Sequence, residues 1–339
     1  MKCTIQNIAD HLGLSRNTVS KALKNSSEVS ENTRNLVIKT ASKLGYKNAT
    51  FATPVIPASE TGSNGTILFL TRTYASDSEF WTTVLRGIES ILSNANYHLA
   101  ISIMSDSDLK QLNFPQTISD SSIKGIILVE ICDKVVCDAL SQFNLPIVSV
   151  DMPNVPFEEL NGIDVVTMES KKNLKKIINQ LIEKGAESFG FVGDLYSPNV
   201  SRGFQERYNA LSECLAEHQL PLNQKNCLLH QTPEDFRNFQ TTVNNLQAMI
   251  SLPDVFICGN DWTAIQLIYA LQFLGFQIPK DICVVGFDNI PAASRISPSL
   301  TTISTPQKYL GIAAARQILE RIQPVSYTHL RAHETTLHL

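Results

Sequence analysis

The sequence predicts an N-terminal all-α helix-turn-helix head followed by an α/β body of parallel sheets with helices on both faces. Three observations carry this prediction. The first fifty residues show helical periodicity and a basic balance that the remainder lacks. From Thr66 onward, short apolar runs alternate with helical patterns. Between the two lies a small, polar stretch punctuated by Pro54, Pro57, Gly62 and Gly65. A chain of 339 residues exceeds the usual range of one folding unit. With 18% charged and 43% hydrophobic residues, it is neither collagen-like, coiled-coil nor mainly disordered. Apolar runs stay too short for a membrane span, and Asp10 and His11 fall where a signal peptide needs its apolar segment. A cytoplasmic protein with no membrane partner is therefore expected. Cys3, Cys132, Cys137, Cys214, Cys227, Cys258 and Cys283 form an odd set without a CxxC and lie largely in apolar runs. They read as reduced packing residues, not as disulfides or metal ligands.

The head is taken as residues 1–47. In TIQNIADHLGLSRNTVSKAL, Ile5, Ile8, Ala9 and Leu12 share one helical face, Gly13 permits a left-handed turn, and Ser15 can cap a second helix carrying Val19 and Leu23. Ala9, Gly13 and Val19 stand where a helix-turn-helix needs a small residue, a turn glycine and a core anchor. A third helix is expected over residues 31–44, capped by Ser30 and covering the first two with Leu36, Val37, Thr40 and Leu44, and ended by Gly45. The first fifty residues hold eight Lys/Arg against three acids, a net +5 that leaves −9 for the rest of a chain whose net charge is −4. A basic head on an acidic body suits phosphate neutralisation on a nucleic acid; a solvated helical face is the alternative that charge alone leaves open.

Position by position from Thr4 to Tyr46, this segment resembles the N-terminal DNA-binding domain of the lactose repressor (LacI/GalR) family. The resemblance implies that the second helix lies in the major groove, with Arg16, Asn17 and Lys21 meeting base edges. The chemistry agrees: Arg or Lys pairs with guanine and Asn with adenine. Thr4, Ser15, Thr18 and Ser20 are then phosphate contacts that set register, although small hydroxyls also serve as caps and local backbone acceptors. Residues 48–65 form a linker. Where the family carries a hinge helix with a minor-groove wedge, this chain has Val55 between Pro54 and Pro57, which oppose a regular helix. An atypical hinge is expected, and the family's DNA kinking is not carried over.

The body, residues 66–323, reads as two successive βα halves. The first runs TILFL, a helix at 80–93, HLAISIM, GIILVE, a helix at 134–143, then PIVSV. The second runs DVVTM, a helix at 173–184, SFGFVG, a helix at 204–218, CLL, a helix at 236–250, VFICG, a helix at 262–274, then ICVVGF. Ligands in such architectures sit beyond the C-terminal strand ends. There is no GxGxxG or GKS/GKT loop, so no nucleotide chemistry and no cofactor is expected.

Over 66–323, the motifs FWTTVLRGIE, IKGIILVE, LPIVSVD, SFGFVGD, FQERYNAL, FICGNDWTA, VVGFDNIPAA and SPSLTTISTP resemble, in order, the same family's two-lobed effector-binding body, which is like the periplasmic sugar-binding proteins. The resemblance implies a first lobe of about 66–160 plus 292–322, a second lobe of about 161–291, and a small ligand in the cleft between them. Carried over by position, Arg207 reaches the ligand, its fork suiting sugar hydroxyls or a carboxylate. Asp261 accepts from sugar hydroxyls or caps its helix. Phe80, Trp81 and Trp262 stack on a sugar ring or belong to the core. Asp151, Asp288 and Asn260 lie at the cleft rim.

No GxSxG or Cys-His arrangement suggests catalysis. The His329, His333, His338 near-match to HExxH lies in a tail, 324–339, that departs from the family after Gln323. The tail reads as adapter-derived and non-native, leaving the family's closing strand for the second lobe absent. The expected function is a regulator that binds a palindromic double-stranded DNA operator as a homodimer, represses transcription, and responds to a small-molecule effector, a carbohydrate. Two alternatives are a sugar receptor whose head binds protein, and a sugar-modifying enzyme.

Overall fold

The computed structural model describes residues 4–23, 29–30, 33–34, 36–37, 40–41, 63–72, 78–131, 133–150, 155–156, 159–160, 162–195, 202–230, 238–323 and 334–337. Residues 48–62 of the linker, Asp151, Leu44 and most of the tail lie outside them. The chain divides into two compact units, Met1–Gly62 and Ser63–Leu339.

In the head, α1 (Ile5–Leu12) starts at a reciprocal cap: Thr4 Oγ1 accepts the Asn7 N–H at 3.3 Å, and Asn7 Oδ1 accepts the Thr4 N–H at 2.9 Å. It ends at Gly13, whose φ of 66° is left-handed and whose N–H returns to the Ala9 carbonyl. Helix α2 (Arg16–Leu23) is capped by Ser15, whose Oγ accepts the Thr18 N–H at 3.0 Å. Ser30 takes the same role for the third helical segment, accepting from the Thr33 N–H at 3.3 Å. Ile8, Ala9, Val19, Ala22, Val29, Val37 and Ala41 close into one apolar cluster. Leu36, expected to cover that core, is instead 50% exposed, because Val37 and Ala41 already fill the inward face.

The first lobe comprises β1 (Gly65–Thr71), α3 (Glu79–Asn94), β2 (Tyr97–Ile103), α4 (Asp106–Gln111), β3 (Ile123–Val129), α5 (Lys134–Leu140), β4 (Ile147–Val150) and β5 (Ile163–Met168). The second comprises α6 (Lys172–Glu183), β6 (Phe189–Asp194), α7 (Arg202–Glu217), β7 (Leu228–His230), α8 (Phe239–Ala248), β8 (Val255–Cys258), α9 (Asp261–Phe273), β9 (Cys283–Asp288) and β10 (Thr301–Ser304). Helix α10 (Gln307–Ile322) then returns to the first lobe, and β11 (Glu334–Leu337) adds an edge strand beside β5. The sheet orders are β11-β5-β4-β3-β1-β2 and β10-β9-β8-β6-β7. All pairings are parallel, with Leu68 opposite Ile126 and Phe256 opposite Val284. Strands buried on both faces explain the continuous apolar runs.

Two boundaries differ from the sequence reading. Strand β5, expected to open the second lobe at residue 161, pairs with β4 in the first. Strand β10, expected in the first lobe, pairs with β9 in the second. An apolar strand carries no lobe label of its own; pairing is decided by where the connecting segment crosses, here after Met168 and after Ser304.

The crossing helix α10 packs against α3 with backbones nearly touching. A Cβ on Gly311 would sit 2.0 Å from the Val84 carbonyl oxygen, and one on Gly87 2.2 Å from that of Lys308. Its far end is tied to β5 by Arg321 and Gln317, each 2.8 Å from the Asp164 carboxylate. Cys137, Cys214 and Cys258 are buried free thiols, and Cys227 and Cys283 are half-buried ones. Burial pushes the Cys137 thiol up to about 12, so it is an inert packing residue. No helix among the described residues is long and apolar enough to cross a membrane.

Candidate functional sites: a basic helical face and an interlobe cleft

In the head, the residues expected to read bases share one side of α2. At about 100° per residue, Arg16, Ser20, Asn17 and Lys21 span an arc of roughly 140°, Val19 and Ala22 occupy the opposite side, and Leu23 lies at the margin, about 20° from Arg16. Val19 and Ala22 are sealed in the core, which fixes how the helix is turned; Arg16 and Asn17 are exposed, and Ser20 and Lys21 half-exposed. Thr4, Ser15 and Thr18 are engaged in caps, with Ser15 Oγ and Thr18 Oγ1 2.8 Å apart. Thr4 Oγ1 also donates to Asn7 Oδ1 at 2.6 Å, and one of the Ser15 and Thr18 hydroxyls donates to the other, so within that pair only one proton is left to donate to a phosphate.

In the body, the predicted residues fall at the C-terminal strand ends. Arg207, on α7, is only 3% exposed. Its Nη1 donates to the Gly259 carbonyl at 2.5 Å, its guanidinium carbon stands 3.7 Å from the centroid of the Phe287 ring, and Nη2 is 4.0 Å from Asp288 Oδ1. Its buried Nε has no hydrogen-bond partner among the described residues. A buried charge held by one carbonyl, a ring face and a distant carboxylate keeps donor capacity for a ligand. Asp288 ends β9 in an uncommon left-handed conformation for a non-glycine residue, φ 115°. Thr305 Oγ1 and Gln307 Nε2 hold its carbonyl at 3.2 and 2.5 Å.

Across the cleft, Phe80 and Trp81 on the first turn of α3 meet edge to face at 4.8 Å. Trp81 Nε1 donates to Glu130 Oε1 at 2.7 Å. Glu130 follows β3 with φ 57° and was missed in the sequence; the available signal was an acidic residue terminating an apolar run, the same pattern that pointed to Asp288.

Three candidates have other employment. Asp261 is fully buried, with Oδ1 accepting from Thr302 Oγ1 at 2.5 Å and Oδ2 from the Ile290 N–H at 2.8 Å. Burial raises its carboxyl to about 6 against the opposing effect of those hydrogen bonds. The N-cap role falls to Asn260, whose Oδ1 accepts the Thr263 N–H at 2.9 Å. Trp262 is 45% exposed and shares an outward stripe of α9 with Tyr269 and Phe273, the latter edge-on to Phe239 at 5.7 Å. Asp151 lies outside the described residues, as do the segments that follow β1, β6 and β7. A groove of about 860 Å³ lies beside β7, lined by Asn223, Leu229, Asn245 and Met249, and contains none of the predicted residues. No cluster of three or more metal-ligating side chains occurs among the described residues.

Residues 4–48 match the lacI family of bacterial regulatory proteins, and residues 178–338 match the periplasmic binding protein-like domain. The chain is 27% identical over 321 residues to catabolite control protein A of Staphylococcus xylosus, covering 93% of this chain and 91% of that protein. It is also 27% identical over 324 residues to the ribose operon repressor of Haemophilus influenzae, covering 94% and 92%. Among solved structures, a transcriptional regulator CelR–cellobiose complex superposes with a TM-score of 0.68 at 18% identity, over 99% of this chain and 97% of that one.

Proposed function

The chain belongs to the lacI family of bacterial regulatory proteins, and from that premise we propose that it is a DNA-binding transcriptional repressor whose operator affinity is set by a small ligand, a sugar, held between its lobes. The observation that carries this reading is the α2 arc. Arg16, Asn17 and Lys21 are presented together on a helix whose other side is locked into the head's core. Arg16 and Lys21 suit guanine acceptors, Asn17 suits adenine, and Thr4, Ser15, Thr18 and Ser20 supply phosphate contacts.

The effector site is assigned to Arg207 and Asp288 on the second lobe, with Phe80 and Trp81 on the first. Asn260 and, outside the described residues, Asp151 are further candidates for the rim. Asp261 acts from behind, by fixing the segment that carries Asp288. A ring of hydroxyls can receive the Arg207 fork and donate to Asp288 while its apolar face meets an aromatic edge. The relatives' printed functions, ribose operon repression and cellobiose binding, are consistent with that chemistry.

The chain acts as a cytoplasmic homodimer on a palindromic site, because one short recognition helix discriminates too little against a genome of competing sequences. The exposed Trp262, Tyr269, Phe273 and Phe239 stripe supports self-association. No catalytic step is assigned. The test is selection of bound fragments from genomic DNA by the full chain, followed by titration of the best fragment. Arg16→Ala, Asn17→Ala and Lys21→Ala are each expected to weaken specific binding about tenfold or more, with little effect on competitor DNA for Asn17→Ala. Equal affinity for selected and scrambled fragments refutes the reading.

A further inference from the structure

We propose that Glu79 is an interlobe latch: from the first turn of α3 in the first lobe, its carboxylate grips the Pro291–Ser294 turn of the second and biases the two lobes toward the bridged arrangement without any ligand. Glu79 Oε2 accepts the Ala292 N–H at 2.9 Å, and Oε1 lies 3.4 Å from Arg295 Nη1. These residues are more than two hundred positions apart in sequence, so the contact exists only when the lobes meet.

The neighbouring side chains reinforce the same junction. Phe80 packs against the apolar clusters of both lobes, and Trp81 fastens the turn to Glu130 at the end of β3. Ser78 holds the turn in helical form by accepting the Trp81 N–H at 3.3 Å. Through the near-contact of α3 with α10 at Gly87 and Gly311, a shift at the latch must move the pair of helices together. On the far side of the cleft, a second bridge runs from Arg202 Nη2 to the Val155 carbonyl at 2.6 Å.

The two halves of the latch are unequal. Arg295 is 71% exposed, so its ion pair with Glu79 is screened by water and contributes little. The hydrogen bond from a backbone N–H to a carboxylate is charge-assisted and directional, and it is the half that matters. A ligand that favours the bridged arrangement adds to this bias, so the latch sets how far the lobes stand from closure before the ligand arrives.

The experiment reads the lobes directly and needs neither DNA nor sugar. Fluorophores are attached through non-natural amino acids at Asn94 and Gln277, exposed positions on opposite lobes, with labelled chain diluted into unlabelled chain. Single-molecule energy transfer then reports the open-to-bridged ratio. Glu79→Ala is expected to raise that ratio about fivefold, with an unchanged far-ultraviolet circular dichroism spectrum. Ala292→Pro, which removes the donor from the other lobe at a position whose N–H no 3-10 turn needs, is expected to open the lobes equally. Glu79→Gln keeps an acceptor oxygen without the charge and is expected to fall between the parent and Glu79→Ala, whereas Arg295→Ala is expected to stay near the parent. The proposal is overturned if Glu79→Ala leaves the distribution unchanged, if Ala292→Pro fails to reproduce the opening, or if Arg295→Ala opens the lobes as far as Glu79→Ala does.

Discussion

Replacing Asp261 by Asn removes a charge from a site with no access to water while keeping both of its tethers. The new Oδ1 can accept the Ile290 N–H, and Nδ2 can donate to Thr302 Oγ1, the two partners that the carboxylate holds at 2.8 and 2.5 Å. Burial raises the native carboxyl from an ordinary value of 3.8 to about 6. Between those pH values the folded chain retains a proton that the unfolded chain has released. The associated stability is therefore fully present below about pH 4 and is lost as the pH rises through about 6. Two pH units correspond to about 3 kcal/mol. Asp261→Asn is thus expected to equal or exceed the parent at pH 7, by up to about 3 kcal/mol, and to lose that advantage near pH 4. Guanidinium unfolding midpoints of both proteins from pH 4 to pH 7.5 measure the difference. A difference that does not change with pH, or a variant less stable than the parent at pH 7, refutes the argument that burial outweighs the hydrogen bonds holding this carboxylate.

Three other perturbations follow from the packing. Gly311→Ala places a methyl where the Val84 carbonyl oxygen is 2.0 Å away, so α10 must move off α3; a loss of about 2 kcal/mol in the denaturant midpoint is expected. Thr4→Ala removes one half of the reciprocal cap on α1, and faster amide exchange in α1 with a loss of about 1 kcal/mol of head stability is the expected result. Arg207→Lys retains the charge but not the fork that spans Gly259, Phe287 and Asp288. Calorimetry with whichever mono- or disaccharide raises the parent's melting midpoint is expected to show at least about tenfold weaker binding, with operator affinity of the ligand-free protein preserved.

The head was legible because its determinants are local. Thr4, Gly13 and Ser15 act within four residues of their partners, and Val19 is placed by helical period alone. Strands were legible as apolar runs, since a strand buried on both faces needs no alternation. Lobe membership was not: β5 and β10 read like their neighbours, and only long-range pairing decides their sheet. In the body, the resemblance picked out both Arg207 and Asp288, and the fold brings them to within 4.0 Å of each other at the strand ends. The resemblance misled at Asp261, because nothing in the sequence says that Thr302 and Ile290 fold back to consume both carboxylate oxygens. At Trp262 an aromatic beside a site residue suggested stacking, whereas the helical period places it with Tyr269 and Phe273. Glu130 escaped notice because its partner, Trp81, lies 49 positions away. Leu36 was misassigned because a helix with several apolar residues does not announce which of them its neighbours have room for.

Coupling between the two units is the central claim, and one titration tests it most directly. Fluorescence anisotropy of a labelled selected duplex gives the Kd of the full chain with and without a saturating sugar shown by calorimetry to bind the Arg207 cleft. A change of about tenfold, lying within the usual range of allosteric coupling, is predicted, and Arg207→Lys should abolish it at the same sugar concentration. The same Kd with and without a sugar that demonstrably occupies the cleft would contradict the account.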